Sequence, residues 1–179
     1  MLNAGILVWN HSLIEAFLGE LEAYPHSFAR VVIISPFINL AASSRIARRV
    51  RGLVANLLRR DTIVLIVSDL TRTRVSSFAT YLMSQPRFPG FLGLYPKLHS
   101  KCGYALSKTG AHIAFVGSAN LTDAALYRNK ELVIGVKIFP SVPQTYTLFN
   151  QIKQQADEIV AKAVGPAHLS ARKLIQLGF

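Results

Sequence analysis

The sequence predicts an α/β fold: a mixed β-sheet flanked by helices on both faces. Short apolar, β-branched segments alternate along the chain with segments of helical periodicity. Two of the predicted strands, 98–106 and 112–116, are separated by a short turn, which predicts a hairpin and therefore an antiparallel pair in the sheet. The length of 179 residues suffices for one well-cored domain, so residues 1–179 are expected to form a single domain.

In the N-terminal half of the chain, segments with helical spacing of apolar residues alternate with short apolar segments typical of strands. Leu13, Phe17 and Leu21 recur at helical spacing behind Ser12, a residue type typical of helix N-caps. The apolar segments RVVIIS and TIVLIV read as buried strands because they are short and rich in β-branched residues. Helices are predicted at 12–24, 41–60 and 75–83, and strands at 30–35 and 62–67.

The C-terminal half begins with a predicted loop at 85–96, which contains three prolines and two glycines. The hairpin follows, with its turn at 107–111. The remaining predicted elements are a loop at 117–122, a helical turn at 122–127, a strand at 131–138, a helix at 142–164 and a tail at 165–179.

The charge of the chain is strongly positive, because 20 Lys and Arg face 9 Asp and Glu, a formal net charge of +11. Such a field attracts polyanions, so nucleic acid is the first expected partner and an anionic membrane surface the second. A basic protein that binds neither is the alternative. The residues predicted to contact nucleic acid are Arg45, Arg48 and Arg49 on the arginine-rich helix, and Arg72, Arg74, Lys97, Lys108 and Arg128 in loops near the motif described next. For the helix, an ordinary solvated face is the competing interpretation.

Three short motifs lie between residues 99 and 131. His99 and Lys101 are two residues apart, so in a strand they project to the same face, where an imidazole and an ammonium suit phosphate chemistry. Gly117-Ser118-Ala119-Asn120 follows a strand and offers a hydroxyl, a carboxamide and backbone N–H groups to an anion. Glu131 begins an otherwise apolar strand. Taken singly, each motif is more often ordinary strand or turn surface.

The order and spacing of these motifs, His-x-Lys, Gly-Ser-x-Asn and Asn-x-Glu (Asn129 to Glu131), resemble the signature of the phospholipase D superfamily. The upstream segment IISPFIN is also similar to a strand end of that family, so the resemblance spans about residues 28–140. One position departs from the pattern: the family has an aspartate five residues after the lysine, where this chain has Leu106. Several nucleases of the superfamily also lack it, and its absence weakens the match to the lipases.

The resemblance implies a phospholipase D-like fold and a metal-independent phosphodiesterase with no cofactor. It assigns His99 as the nucleophile that forms a phosphohistidine, Lys101 and Asn120 as ligands of the phosphoryl oxygens with help from Ser118, and Glu131 as the group that orients an imidazole. The scheme needs two such histidines and the chain has one such motif. A homodimer with one composite site is therefore expected, with a heteromeric partner as the alternative.

The positive charge favours nucleic acid, DNA ahead of RNA, as the substrate, and a targeting partner protein is compatible with the short chain. A lipid-acting enzyme, with Phe88, Phe91 and Leu92 entering a bilayer, is a second hypothesis. A nucleic-acid-binding module without catalysis is a third. The single cysteine, Cys102, is expected to be a strand residue, with a catalytic thiol as the alternative. Neither a signal peptide nor a membrane span is predicted, and a cytoplasmic location is expected.

Overall fold

Seven strands form one mixed sheet in the computed structural model of the chain, which describes residues 6–10, 13–38, 44–69, 90–129, 131–138 and 146–163. The strand order is β1-β7-β6-β5-β2-β3-β4. Strands β2, β3 and β4 pair in parallel, and all other neighbours pair antiparallel. The strands are β1 Ile6–Asn10, β2 Phe28–Ile34, β3 Ile63–Asp69, β4 Gly90–Tyr95, β5 Cys102–Ser107, β6 His112–Gly117 and β7 Leu132–Ile138.

Helices cover both faces of the sheet, as the sequence predicts. On one face pack α1 (Leu13–Ala23), α2 (Arg45–Leu58) and the short α3 (Asp123–Tyr127); on the other lies α4 (Tyr146–Lys162). Successive residues of a strand point to opposite faces, so β2 divides its side chains between the two cores. Val31 and Ile33 pack under α1 and α2, whereas Val32 and Ile34 pack under α4. None of the helices in the described ranges is long and apolar enough to cross a membrane.

The two ends of the sheet differ in what they carry. Strands β2, β3 and β4 finish at the same end, where β5 and β7 begin and β6 finishes. We call this the motif end, because the His-x-Lys and Gly-Ser-x-Asn segments lie there. The far end carries the β5–β6 turn and the start of β2. Loops at the carboxyl ends of parallel strands are a frequent place for ligand sites in α/β proteins.

Three local predictions need correction. The segment 85–96 was expected to be a loop, yet Gly90–Tyr95 forms β4, whose six-residue ladder with β3 outweighs the two glycines in it. No strand was predicted at the N-terminus, but Ile6–Asn10 forms β1 along the edge of β7. The strand expected at 98–106 begins at Cys102, so residues 98–101 form a connection. The helix predicted at 75–83 and the tail at 165–179 lie outside the described residues.

Candidate active site

The connection between β4 and β5 presents the His-x-Lys pair. Leu98 is buried in the core beneath α4 and anchors this segment, while the His99 side chain is exposed. The Lys101 ammonium donates a hydrogen bond to the backbone carbonyl of His99, with 3.0 Å between Nζ and O. An exposed imidazole and an ammonium therefore lie together at the motif end of the sheet.

Gly117 allows the Gly-Ser-x-Asn motif to lie close to β7 and to the Lys101 segment. The amide of Gly117 donates to the Lys101 carbonyl at 3.0 Å, and the amide of Ser118 donates to the Leu132 carbonyl at 2.9 Å. A Cβ atom at residue 117 would collide with the Leu132 carbonyl oxygen and lie 2.6 Å from Val133 Cα. Only glycine permits this approach of β6 to β7, and it places the lysine and serine segments side by side.

Ser118, Glu131 and Asn129 form a hydrogen-bonded group. The Ser118 hydroxyl donates to Glu131 Oε2 at 2.5 Å and accepts a bond from the Leu132 amide at 3.1 Å. The Asn129 carboxamide donates to Glu131 Oε1 at 3.2 Å. Both carboxylate oxygens are therefore engaged, and Glu131 is held in one orientation at the start of β7.

Asn120 lies in the turn that follows Ser118. Its Oδ1 atom is buried and has no hydrogen-bond partner among the residues that the structure describes. The turn itself is tied to the end of β2, because Ser35 Oγ accepts from the Leu121 amide at 2.8 Å and donates to the Phe37 carbonyl at 2.7 Å. Ser35 is a positioning residue to which the sequence assigned no role. The sequence feature that could have indicated this role is a serine at the end of an apolar, buried strand.

Four of the predicted nucleic-acid contacts lie at or near the motif end. Arg45 and Arg48 occupy the first turn of α2 and are exposed. The Arg45 guanidinium lies 4.5 Å from the centre of the Tyr127 ring, which stacks and orients it. Arg128 follows α3 and Lys97 follows β4, and both side chains are exposed. Arg72 and Arg74 lie outside the described residues.

Two predicted contacts are placed elsewhere. Arg49 bonds Glu22 through Nε at 2.7 Å and Glu15 through Nη1 at 3.2 Å, so it joins α2 to α1. The hydrogen bond to Glu22 raises the pKa of Arg49 above its ordinary value. Lys108 lies in the β5–β6 turn at the far end, where Nζ donates to the Arg60 carbonyl at 3.3 Å, so it is not near the motif.

The remaining histidines in the described ranges lie away from the motif, and the single cysteine lies away from solvent. His112 begins β6 at the far end of the sheet, where burial lowers its pKa. His26 lies in the turn before β2, also at the far end, while His11 and His168 lie outside the described residues. Cys102 is fully buried, and burial raises the pKa of its thiol to about 11, so it is a core residue and a poor nucleophile.

The N-terminus of α2 is already neutralised by the protein. Asp123 accepts from the Ile46 amide at 2.8 Å and from the Arg45 amide at 3.2 Å. Burial alone would raise the pKa of Asp123, but the hydrogen bonds from Ile46, Ser44 and Arg45 outweigh it and lower the pKa. The arginine side chains, and not the backbone amides of α2, are thus the groups left for an anion. In the described ranges, His, Cys, Asp and Glu form no group of three that could hold a metal ion.

The architecture places the chain in a known structural class. No family model and no curated protein sequence matches it. Among solved structures, Nuc from Salmonella typhimurium, a phospholipase D family member, is similar at 15% identity, with 90% of this chain and 98% of that chain covered and a TM-score of 0.59. NucT from Helicobacter pylori is similar at 16% identity, with the same coverage of 90% and 98% and a TM-score of 0.58.

A third similar structure is TrmBL2, an archaeal chromatin protein with a novel mode of DNA binding. It shares 14% identity over 92% of this chain and 56% of that chain, with a TM-score of 0.55. The chain has the fold of the phospholipase D family. The resemblance inferred from its three motifs is thus confirmed at the level of the fold.

Proposed function

We propose that the chain is a metal-independent phosphodiesterase that hydrolyses phosphodiester bonds of nucleic acid, with His99 as its nucleophile. One observation carries this proposal: three separate segments bring His99, Lys101, Asn120 and the Ser118–Glu131 pair to the same end of the sheet. Each of those residue types has a part in phosphoryl transfer through a covalent intermediate. The similarity to Nuc and NucT supports a fold suited to such a site.

The first step is attack by a neutral imidazole nitrogen of His99 on phosphorus. A P–N bond forms, the P–O bond to one nucleoside oxygen breaks, and a second imidazole gives that oxygen its proton. In the second step the same imidazole, now neutral, removes a proton from water. The resulting hydroxide attacks phosphorus, the P–N bond breaks, and His99 is restored.

Negative charge grows on the non-bridging phosphoryl oxygens in both steps. The Lys101 ammonium lies beside His99 and can follow that charge, because the group it bonds is the uncharged backbone carbonyl of His99. The Asn120 carboxamide is the second donor in the proposal, through the N–H groups of its Nδ2 atom. Glu131, held by Ser118 and Asn129, is proposed to orient an imidazole. Electrostatic donors of this kind commonly contribute about 10²–10³ in rate each.

The second imidazole is proposed to be His99 of another copy of the chain. Of the histidines in the described ranges, His26 and His112 lie at the far end of the sheet and cannot reach a phosphate bound at His99. A two-fold axis beside the motif end would bring the two His99 side chains to one phosphate and give a single composite site.

The proposed substrate is DNA or RNA, with DNA ahead of RNA. The formal charge of +11 and the exposed Arg45, Arg48, Arg128 and Lys97 near the motif end supply the sequence-independent attraction that phosphate backbones require. The similarity to TrmBL2, a chromatin protein with a novel mode of DNA binding, favours a second candidate, a DNA-binding module without catalysis. The presence of His99, Lys101, Asn120 and Glu131 at one end of the sheet argues for the enzyme.

Cleavage of labelled single- and double-stranded DNA and RNA in excess EDTA tests the proposal. We expect wild type to cut one of these substrates and His99→Ala to bind it without cutting. His26→Ala is the matched control, because it removes an imidazole from the far end and should leave cleavage unchanged. Binding without cleavage by wild type and by both variants would overturn the enzyme and favour the binding module.

A further inference from the structure

An exposed aromatic side chain lies at the motif end of the sheet. Phe37 follows the carboxyl end of β2, and it is 39% exposed. It belongs to the segment IISPFIN, in which the proposed function gives it no part. Tyr24 is the other aromatic residue among the exposed large apolar side chains of the described ranges, and it lies at the far end, in the turn before β2. Of these two rings, Phe37 is therefore the one at the proposed site.

The position of Phe37 is next to that of Asn120. The residue after it, Ile38, forms a parallel β-bridge with Leu121, and both are buried in the core beneath α1 and α2. Because side chains alternate along an extended chain, Phe37 and Asn120, which precede the bridged pair, project away from that core. This agrees with the exposure of Phe37 and the partial exposure of Asn120. Paired strands lie about 4.8 Å apart, so the two side chains start from neighbouring positions.

Hydrogen bonds hold the Phe37 segment in place. Ser35 Oγ donates to the Phe37 carbonyl at 2.7 Å and accepts from the Leu121 amide at 2.8 Å, so one buried hydroxyl joins the two segments. The Pro36 carbonyl accepts from the Asp69 amide at 3.3 Å, which ties the same segment to the end of β3. A ring presented by a preorganised backbone costs less entropy when a ligand stacks on it.

The N-terminus of α2 lies close to the same turn. Asp123, three residues after Asn120, accepts a hydrogen bond from the Arg45 amide at 3.2 Å. Arg48 is in the first turn of the same helix, and both arginine side chains are exposed. The turn is thus surrounded by a carboxamide, two guanidinium groups and an aromatic ring. Sites for single-stranded nucleic acid combine the same elements, cations for the phosphates and rings for the bases.

We infer that Phe37 stacks on a nucleobase next to the phosphate bound at Asn120, so that the site takes single-stranded nucleic acid in preference to duplex. The inference rests on the proposed function, which places the phosphate at Asn120. Every base has a π-face, so stacking on a ring adds affinity without requiring a base sequence. In a duplex the neighbouring base pairs cover both faces of each base, and a ring reaches a base only after it has been unstacked at a cost in free energy.

The surroundings of Phe37 disfavour a lipid as the occupant. A surface that enters a bilayer presents a broad apolar face with basic residues around it. The other exposed large apolar side chains of the described ranges lie elsewhere. Leu132 and Ile134 are on β7, three strands from β2. Tyr24 and Ile63 are at the far end. A single ring beside polar and cationic groups suits a base attached to a phosphate better than an acyl chain.

The test compares two single-stranded oligomers that carry the same number of phosphates, one of thymidylate and one of abasic nucleotides. The full chain with His99→Ala is the background, because this variant is expected to bind without cutting. Adding Phe37→Leu should raise the Kd for oligothymidylate about tenfold, or about 1.4 kcal/mol, as measured by fluorescence anisotropy. The Kd for the abasic oligomer and for a duplex of the same length should change less than about twofold, because the backbone contacts remain. Unchanged binding of the abasic oligomer also shows that the variant is folded.

Phe37→Trp gives a direct readout of stacking. Trp9 is the only tryptophan of the wild-type chain, so the emission gained in the variant reports on position 37. Oligothymidylate should quench that emission and bind as tightly as it binds the phenylalanine form, whereas the abasic oligomer should leave the emission unchanged. Tyr24→Leu is the matched control, because it removes an exposed ring from the far end and should alter neither Kd.

Equal losses of affinity for the two oligomers in Phe37→Leu would overturn the inference, and so would no loss for either. It would also be overturned if Phe37→Leu abolished binding to vesicles of phosphatidylglycerol and phosphatidylcholine but left oligothymidylate binding intact. These are binding measurements, so base-dependent binding at Phe37 in a chain whose wild type never cleaves would support the inference and overturn the proposed hydrolysis alone. Cleavage that is lost in His99→Ala, with no base dependence at Phe37, would do the reverse.

Discussion

Ser118 donates its hydroxyl to Glu131, with 2.5 Å between Oγ and Oε2, and this bond joins the second and third motifs of the site. The same hydroxyl accepts from the Leu132 amide at 3.1 Å, so the end of β6 is fastened to the start of β7. Hydrogen bonds to a charged acceptor are stronger than neutral ones. The serine therefore positions the carboxylate, and through it the group that Glu131 faces.

Replacing the serine should impair turnover more than binding. In Ser118→Ala, Glu131 Oε2 loses its hydroxyl donor and the Leu132 amide loses its acceptor. We expect the cleavage rate at saturating substrate to fall about tenfold to hundredfold. The dissociation constant for a labelled oligonucleotide should change less than about twofold, because Ser118 contributes no charge. Single-turnover cleavage and fluorescence anisotropy measure the two quantities, and equal losses in both would contradict a positioning role.

The packing of β5 against β2 leaves no room for a side chain at Gly103. A Cβ atom there would lie 2.5 Å from the Val32 carbonyl oxygen and 2.6 Å from Phe115 Cε1. We expect Gly103→Ala to lower the free energy of unfolding by about 1–3 kcal/mol, the usual cost of overpacking. Urea denaturation followed by circular dichroism measures it.

Gly52→Ala is the control for that experiment. Gly52 lies within α2 and nothing is within 4 Å of its added Cβ. Because alanine has the higher helix propensity, the substitution should raise the free energy of unfolding by up to about 1 kcal/mol. A loss of stability at Gly52 equal to that at Gly103 would show that the close contacts at Gly103 are not the cause.

The sequence predicts the longer elements correctly where one physical signal dominates. The face of Ile46, Val50 and Leu57 is buried along α2, as the helical spacing requires. The strand β4 was missed because its stability comes from the parallel ladder with β3, which is distant in sequence. Local propensity argues against a strand with glycines at 90 and 93, and tertiary pairing outweighs it.

The sequence predicted the proximity of His99 and Lys101 better than it predicted their geometry. His99 and Lys101 do lie together, but in the connection before β5 and not as alternate residues of a strand. Lys108 is only seven positions from Lys101 along the chain, yet β5 lies between them. Because a strand advances about 3.4 Å per residue, Lys108 lies at the opposite end of the sheet. Arg49 carries the same charge as Arg45, and only the fold reveals that Glu15 and Glu22 hold it.

Asp157 should make the stability of the protein depend on pH. Burial alone would raise the pKa of its carboxyl, but bonds from Lys153 and Tyr104 and the charge of Arg30 outweigh burial and lower the pKa. A lowered pKa in the folded state means that the carboxylate stabilises the fold above the unfolded pKa of about 3.9. That contribution is lost as pH falls through the folded pKa.

The variant Asp157→Asn should therefore be less stable than wild type by about 1 kcal/mol at neutral pH. The difference should narrow as pH falls below about 4. Glu158→Gln is the control, since Glu158 is exposed and accepts a hydrogen bond from Gln154, one turn earlier in α4. A gap between Asp157→Asn and wild type that stays constant from pH 7 to about pH 3 would contradict the assignment.

Arg45 should contribute to nucleic-acid binding because it lies at the end of α2 nearest the motif. The Tyr127 ring holds its guanidinium 4.5 Å from the ring centre, at the end of the helix nearest the motif. A stacked guanidinium loses little conformational entropy when it contacts a phosphate. We expect Arg45→Ala to weaken binding and to reduce the slope of log K against log salt by about 1, the value for one lost phosphate contact.

Arg59→Ala is the matched comparison, because Arg59 carries the same charge at the opposite end of the same helix, where the chain turns towards β3. Its loss changes the net charge equally but removes no contact near the motif. Anisotropy titrations at several salt concentrations should therefore give Arg59→Ala the wild-type slope and a smaller loss of affinity. Equal slopes for the two variants would mean that binding depends on total charge alone, and that the substrate does not follow a path past the N-terminus of α2.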